Sequence, residues 1–309
     1  MAARAVVFAY HDVGVRCLSV LLAHAIDVAL VVTHRDDPRE NIWFGSVERL
    51  ARAHGIEVAT PDDPAAVAGR VAAAAPDFLF SFYYRHILPA QILRTARRGA
   101  YNVHGSLLPK YRGRVPVNWA VLRGERETGA TLHEMVAKPD AGRIVDQMAV
   151  PILPDDTALD VFRKVTVAAE LVLDRSLPRL IDGTATLAPQ DLAAGSYFGG
   201  RKPEDGRIDW TKSAREIHDL VRAVAPPYPG AFADLGTQRL RLLRTRRLGE
   251  RLPPGAARLA VDAAGRLIAR CADGQTLHLI ECDLDGEPLR ADNLRARLGR
   301  DSVSLGETS

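Results

Sequence analysis

Cysteine is scarce. The three in 309 residues, Cys17, Cys271 and Cys282, form no C-x-x-C pair and no regular spacing. That excludes a disulfide framework and a cysteine zinc site, and it predicts a cytoplasmic protein in a reducing compartment. No stretch reaches 18 apolar residues, so no membrane-spanning helix is expected. The apolar run near the N-terminus stops at His11 and Asp12, too early for a secretory signal. There is no H-E-x-x-H or similar ligand spacing, and no metal is expected. The first turn, "AYHDVGVRC", lacks G-x-G-x-x-G, which excludes the dinucleotide fingerprint. Internal repeats and low-complexity segments are also missing. Nor is there much net charge: +3 is far short of what binding nucleic acid by charge alone requires. What remains is an ordinary globular composition, 47% hydrophobic and 26% charged, on a chain too long for one core of usual size.

The order of segments predicts the fold class. "AVVFAY" (5–10) reads as a strand buried on both faces, followed by a helix over about 14–24 and a second buried strand, "DVALVVTH" (27–34). Further on come a helix over 46–55 ending on Gly55, the short "EVAT", an Ala-rich helix near 65–75, and the strands "DFLFSFY" (77–83) and "GAYNVH" (99–104). This alternation predicts an α/β, doubly wound, mostly parallel sheet. A long helix is expected over 157–182, with Asp155 or Asp156 near its cap. The Gly/Pro-rich run over 188–206 reads as a domain linker. "SARE" (213–216) is a capping box, and the short strand-like runs after "APPYPG" predict a small β-rich domain. The boundaries expected are 1–190, a linker at 191–206, and 207–309.

One segment, "YNVHGSLLPKYRG" (101–113), carries chemistry. Side chains two apart in a strand share a face, so Asn102, His104 and Ser106 would point together off a strand end, with Val103 turned to the core. In an open parallel sheet, ligands bind beyond the carboxyl ends of the strands. A side-chain amide can stabilise a developing oxyanion, and histidine is the usual proton shuttle near neutral pH. A carboxylate is wanted to orient the imidazole; spacing alone does not separate Asp140 from Asp12, Asp77 or Asp146. Amide plus shuttle suits direct attack by an amine on an acyl carbon. Ser106 as nucleophile lacks the G-x-S-x-G elbow, and a metal hydrolase built on His104, His86 and Asp140 lacks ligand spacing.

The run "NVHGSLLPKYRGRVPVNWAVLRGERETGATLHEMVAKPDAGRIV" (102–145) resembles the 10-formyltetrahydrofolate-dependent formyltransferases. It has their N-x-H, S-L-L-P run, R-G-x-x-P turn, T-G-x-T strand and D-x-G loop in the same order. The resemblance implies a Rossmann-like folate-binding domain followed by a smaller open-barrel (OB-like) domain. It implies that Asn102 stabilises the tetrahedral transition state, that His104 is the acid or base, and that Asp140 raises the pKa of His104. It places 10-formyltetrahydrofolate contacts on His86, Ile87, Leu88 and Arg114, and on Val136, Ala137, Lys138, Pro139 and Asp140. A non-catalytic folate- or nucleotide-binding module is disfavoured by the intact triad.

Two branches of the family then compete for the acceptor. A methionyl-tRNA formyltransferase would carry a Gly/Lys/Arg-rich loop after the second strand. Here "THRDDPRENIWFGS" (33–46) has three acids and no lysine. "RLRLLRTRR" (239–247) has five arginines, read as a solvated sheet face with Arg239 and Arg241 opposite Leu240 and Leu242. The runs "FAYHD", "THRDDP", "SFYYRH", "FGGRKPEDG" and "VRAVAPPYPGAF" are similar to the formyltransferase domain of the bifunctional enzyme of lipid A modification. That similarity implies a UDP-amino sugar as partner, UDP-4-amino-4-deoxy-L-arabinose above others, with either another protein supplying the decarboxylated sugar nucleotide or a related nucleotide-linked amino sugar as the acceptor. No nucleic acid is expected as a partner. Ser106, Arg114 and Arg201 are the candidates for contacts to the sugar nucleotide, with Gly199 and Gly200 allowing close backbone approach.

Overall fold

A computed structural model describes residues 2–306 and divides them into two compact units. Among the described residues, the first holds 2–116, 127–151 and 162–199; the second holds 117–126, 152–161 and 200–306.

In the first unit, β1 (Arg4–Ala9), β2 (Asp27–Val32), β3 (Val58–Ala59), β4 (Phe78–Phe82) and β5 (Gly99–His104) are parallel neighbours in the order β3-β2-β1-β4-β5. Every residue from Ala5 to Ala9 is fully buried, as an apolar run at the centre of a two-sided parallel sheet should be. The connections carry α1 (His11–Ala23), α2 (Val47–Ala53), α3 (Ala68–Ala73) and α4 (Ala90–Leu93). The chain winds first to one side of β1 and then to the other, so β1 and β4 flank the point where strand order reverses.

The sheet continues past β5 with two strands of opposite sense. After the two-residue β6 (Arg112–Gly113) and α5 (Pro116–Leu122), β7 (Glu127–Glu134) pairs antiparallel with β5, and β8 (Ile144–Pro151) antiparallel with β7. The nine residues between β7 and β8 are too few for a parallel crossover. The Gly/Pro-rich run after α6 (Ala158–Asp182) stays on this unit as far as Gly199, where β9 (Tyr197–Phe198) pairs with β6.

The second unit is the expected small β-rich open barrel. Beyond α7 (Ala214–Val224), an antiparallel sheet joins β10 (Ala231–Leu235), β11 (Gln238–Arg251), β12 (Arg258–Val261), β13 (Leu267–Arg270), β14 (Gln275–Leu284), β15 (Glu287–Pro288) and, after α8 (Leu294–Leu298), β16 (Ser302–Ser304). The path β10-β11-β14-β13-β12-β16 has two open ends. Leu240, Leu242, Leu259, Leu277 and Trp210 form its core together with Ile217 and Val221 of α7. The Ser213/Glu216 capping box forms as the sequence suggests, with Ser213 Oγ accepting from Glu216 N at 3.2 Å. No helix among the described residues is long and apolar enough to cross a membrane.

The long helix α6 is capped by Thr157 rather than by either preceding aspartate. Thr157 Oγ1 accepts from Asp160 N at 3.2 Å, and Asp160 Oδ2 accepts from Thr157 N at 3.0 Å, a reciprocal box. Asp156 Oδ2 instead accepts from Leu153 N, and Asp155 Oδ2 accepts from Arg246. Thr157→Ala should therefore cost about 1 kcal/mol, read as a lower urea midpoint. An unchanged midpoint would place the cap elsewhere.

Candidate active site

The site is built where β5 ends. Antiparallel pairing sets Asn102 opposite His133 and His104 opposite Thr131. Thr131, wholly buried, ties down the loop that follows: its hydroxyl donates to Ser106 O at 2.6 Å and accepts from Leu108 N at 3.1 Å. Ser106 Oγ is buried and donates to Lys110 O at 2.7 Å, closing the loop on itself. The loop thereby returns Tyr111 O to within 2.8 Å of His104 Nε2, which must carry the hydrogen because a carbonyl only accepts. His104 Nδ1 is left facing Asp140.

Asp140 sits in the left-handed region, φ 53°, in a Pro- and Gly-flanked turn that aspartate tolerates. Its Oδ2 accepts from Gly113 N at 2.8 Å, which leaves Oδ1 3.6 Å from His104 Nδ1 and 3.7 Å from His133 Nε2. Neither separation is a direct hydrogen bond. The carboxylate is aimed between two imidazoles without being consumed by either. Gly113 has φ 98°, and a Cβ there would lie 2.2 Å from Phe198 O, so glycine is obligatory. The same segment is braced by Tyr111 N donating to Ser196 Oγ at 2.9 Å and Arg114 N to Phe198 O at 2.9 Å. The run that reads as a linker thus holds the site's rim.

His133 was not singled out by the sequence. Its Nδ1 donates to Glu134 O at 2.8 Å, so Nε2 presents a lone pair, and Asn102 Nδ2 donates to it at 3.1 Å. Burial, at 1% exposure, pushes its pKa down to about 4; Asp140 pulls upward and the His104 side chain downward. A neutral imidazole therefore fixes the Asn102 amide and leaves it one N–H. The signal for this residue is Thr131 and His133 lying two apart in a strand, but its meaning needs the register across to Asn102.

A formyl transferase model matches residues 13–177, and the formyl transferase C-terminal domain model matches 201–296. The chain belongs to the formyl transferase family. It is a formyltransferase enzyme. Among solved structures it is similar to the N-formyltransferase from Helicobacter canadensis in complex with folinic acid and dTDP-3-aminofucose: 21% identity, 90% of this chain and 99% of that one, TM-score 0.72. The sugar 3N-formyltransferase WlaRD, with dTDP and 5-N-formyl-THF, is 20% identical over 90% of this chain and 97% of its own, TM-score 0.72. HypX from Aquifex aeolicus in complex with tetrahydrofolic acid is 17% identical over 96% of this chain and 47% of its own, TM-score 0.64. These likenesses show a shared fold.

In this formyltransferase the residues expected to meet the folate fall in the segments 86–88 and 136–140 and at Arg114. Leu88 is buried and packs with Val6, Phe8 and Ala100, and Met135 packs against the same cluster. Next to them, Ile87 is 73% exposed and Val136 44% exposed, so neither is core. His86 is exposed and meets His34 edge-on at 4.9 Å between centroids. Ala137 and Lys138 are exposed, while Pro139 is half-buried. The Arg114 guanidinium is exposed, with no partner among the described residues. Arg201 belongs to the second unit; its guanidinium lies 5.0 Å over the Trp119 ring and donates to Asp205 O at 2.9 Å. Burial holds Arg201 below the usual arginine range.

His133 makes folding depend on pH with a definite sign. Its unfolded value is about 6.5, so between there and about 4 the unfolded chain takes up a proton that the folded chain refuses. Stability should fall as pH drops through that window, by about 2 kcal/mol at about pH 5 from this residue alone. His11, pushed by burial to about 3, and His34, to about 4, act in the same direction. Urea midpoints across this range should fall for the wild type and less steeply for His133→Gln. Identical slopes would contradict a neutral buried His133.

Proposed function

We propose that the enzyme moves the formyl group of 10-formyltetrahydrofolate to the 4-amine of a UDP-linked amino sugar, with UDP-4-amino-4-deoxy-L-arabinose as acceptor. The observation that carries the reading is the Asn102 amide, held by neutral His133, beside His104 and Asp140 at the end of β5.

The folate fits what this chain presents. Two exposed apolar side chains, Ile87 and Val136, stand beside anchored core residues and offer walls to a flat ring system. When bound, 10-formyltetrahydrofolate supplies the activated formyl carbon. The amine nitrogen bonds to that carbon, and the bond from carbon to the folate N10 breaks. The free N–H of Asn102 meets the oxygen as it becomes negative, a contribution that oxyanion donors make at about 3 kcal/mol. His104 Nδ1 takes the proton lost by the amine and returns it to N10 as that nitrogen leaves. Once protonated, His104 carries a donor on each nitrogen, one on Tyr111 O and one facing Asp140. No atom of the reaction requires a metal.

The choice of acceptor rests on charge and on the sequence runs quoted above. In the 33–46 loop, Asp36 accepts from Tyr10, Arg39 pairs with Asp37, and Glu40 holds Arg85 through both oxygens at 2.8 Å. In "RLRLLRTRR", Arg239 meets Asp234, Arg241 meets Asp283, Arg244 meets Glu281 and Arg246 meets Asp155. Of the arginines in these two segments, only Arg35 and Arg247 face no carboxylate among the described residues, too few for a tRNA phosphate backbone. The ligands named for the Helicobacter canadensis enzyme and for WlaRD, a dTDP-amino sugar or dTDP beside a formyl-folate, support the nucleotide-sugar class. They also give a dTDP-linked amino sugar the place of second reading.

His104→Ala and Asn102→Ala should each slow formyl transfer by about a hundredfold or more in single-turnover assays, with folding intact. With a panel of UDP- and dTDP-amino sugars and methionyl-tRNA, the UDP 4-amino sugar should give the highest kcat/KM and tRNA no product. Comparable formylation of tRNA would overturn the acceptor, and wild-type rates in His104→Ala would overturn the mechanism. Arg201→Ala should raise KM for the sugar nucleotide more than for the folate. Equal effects on both would remove Arg201 from the acceptor's site.

A further inference from the structure

The second unit carries a half-open cleft of about 460 Å³ whose lining comes entirely from its own residues: the 124–126 turn, the 152–155 turn, α7 and β11. The triad lies in the other unit. The floor is polar and saturated. His218 is buried; its Nε2 donates to Pro154 O at 2.9 Å, so its Nδ1 accepts from Thr245 Oγ1 at 2.8 Å, and burial keeps the ring neutral. Arg222 is buried against Asp219, Nε to Oδ1 2.8 Å, and reaches Asp156 O and Val121 O at 3.3 Å.

The rim is different. Arg215 lies 3.7 Å from Asp219, and Arg246 donates to Asp155 at 3.1 Å. Two further arginines that line the cavity have no carboxylate: Arg247 reaches only the neutral Gln275 Oε1 at 3.0 Å, and the Arg126 guanidinium has no partner among the described residues. The lining therefore carries five arginines against three acids. One wall is apolar, with Leu153 53% exposed beside Ile152 and Pro154. A saturated floor cannot move to meet a ligand, while the two unspent guanidinium forks can.

We propose that this cavity binds a phosphate-bearing small molecule of nucleotide size, with Arg126 and Arg247 on the phosphate and the Leu153 wall against the organic part. Planar guanidinium forks match phosphate oxygens, and the volume is in the range that holds a nucleotide. Inorganic phosphate and a nucleoside monophosphate share the chemistry, and the apolar wall favours the latter.

Amide-resolved NMR of the full chain at low salt separates these. Titration with UMP should shift the amides of Gly124, Glu125 and Arg126 with a Kd of about 1 mM or below; inorganic phosphate should shift the same amides more weakly, and uridine should not. Arg126→Glu with Arg247→Glu should weaken UMP binding at these amides at least about tenfold while the rest of the spectrum stays dispersed as in the wild type. If that double variant does not fold, Arg126→Gln alone, at the exposed unpartnered arginine, should still weaken binding. Formyl transfer at saturating substrate should stay near wild type in both variants. Shifts by uridine equal to those by UMP, no shifts at these amides with UMP, or undiminished binding in the variants would each overturn the proposal.

Discussion

The antiparallel contact between β5 and β7 is the constraint on which the site depends. A parallel neighbour would have carried a different face to Asn102, and a slip of one residue would turn every side chain of β7 over. With Asn102 opposite His133 and His104 opposite Thr131, one pairing does two jobs. It gives the Asn102 amide a fixed acceptor, and it plants the Thr131 hydroxyl where it anchors the loop that returns Tyr111 O to His104. The proton-bearing nitrogen of His104 is thus set by the backbone in three steps: strand register, then loop closure, then tautomer.

Such a polar group of residues in a buried position is costly unless each member finds a partner, since an unmet donor or acceptor costs about 1–3 kcal/mol. Here the bonds are closed by residues both near and far along the chain. Ser106 donates to Lys110 O, Gln147 Nε2 donates to Leu108 O at 2.8 Å and to Thr131 Oγ1 at 2.9 Å, and Gly113 N holds one oxygen of Asp140. The groups left with capacity are the second N–H of Asn102, Nδ1 of His104 and Oδ1 of Asp140. Those are the atoms on which the proposed mechanism draws. Gly113 links the two halves, because only glycine allows its φ and its approach to Phe198 O, and its N–H is what orients the carboxylate.

Much of this was legible in the sequence, and the exceptions share one cause. The strand "GAYNVH" and the period-two placing of Asn102 and His104 are local, and they appear as read. The Ser213 capping box is local too. Leu240 and Leu242 face inward with Arg239 and Arg241 outward, as alternation requires. What stayed hidden depends on partners far along the chain. His133 acquires its role only across the register to Asn102, thirty-one residues away. The choice among aspartates needs a turn that swings Asp140 onto Gly113, which spacing does not encode. The 195–199 run has the composition of a linker, yet β9 pairs with β6 because backbone pairing is indifferent to side chains. Thr157 outcompetes Asp155 and Asp156 as a cap because those two are engaged elsewhere in their unit.

The arginines show why counting charges along a sequence misjudges electrostatics in both directions. "RLRLLRTRR" is the densest run of cations in the chain, and four of its five arginines face carboxylates supplied by β10, β14 or the turn before α6. A pair formed at such an exposed surface adds little stability, but it removes the charge from what a polyanion would feel at a distance. The fifth, Arg247, has only a neutral amide. Arg126 and Arg114, outside that run, keep guanidinium groups without a carboxylate among the described residues. Where this formyltransferase can attract anions is therefore decided by which cations the fold leaves unpaired, and that depends on strand pairing and turns more than on the local density of arginine.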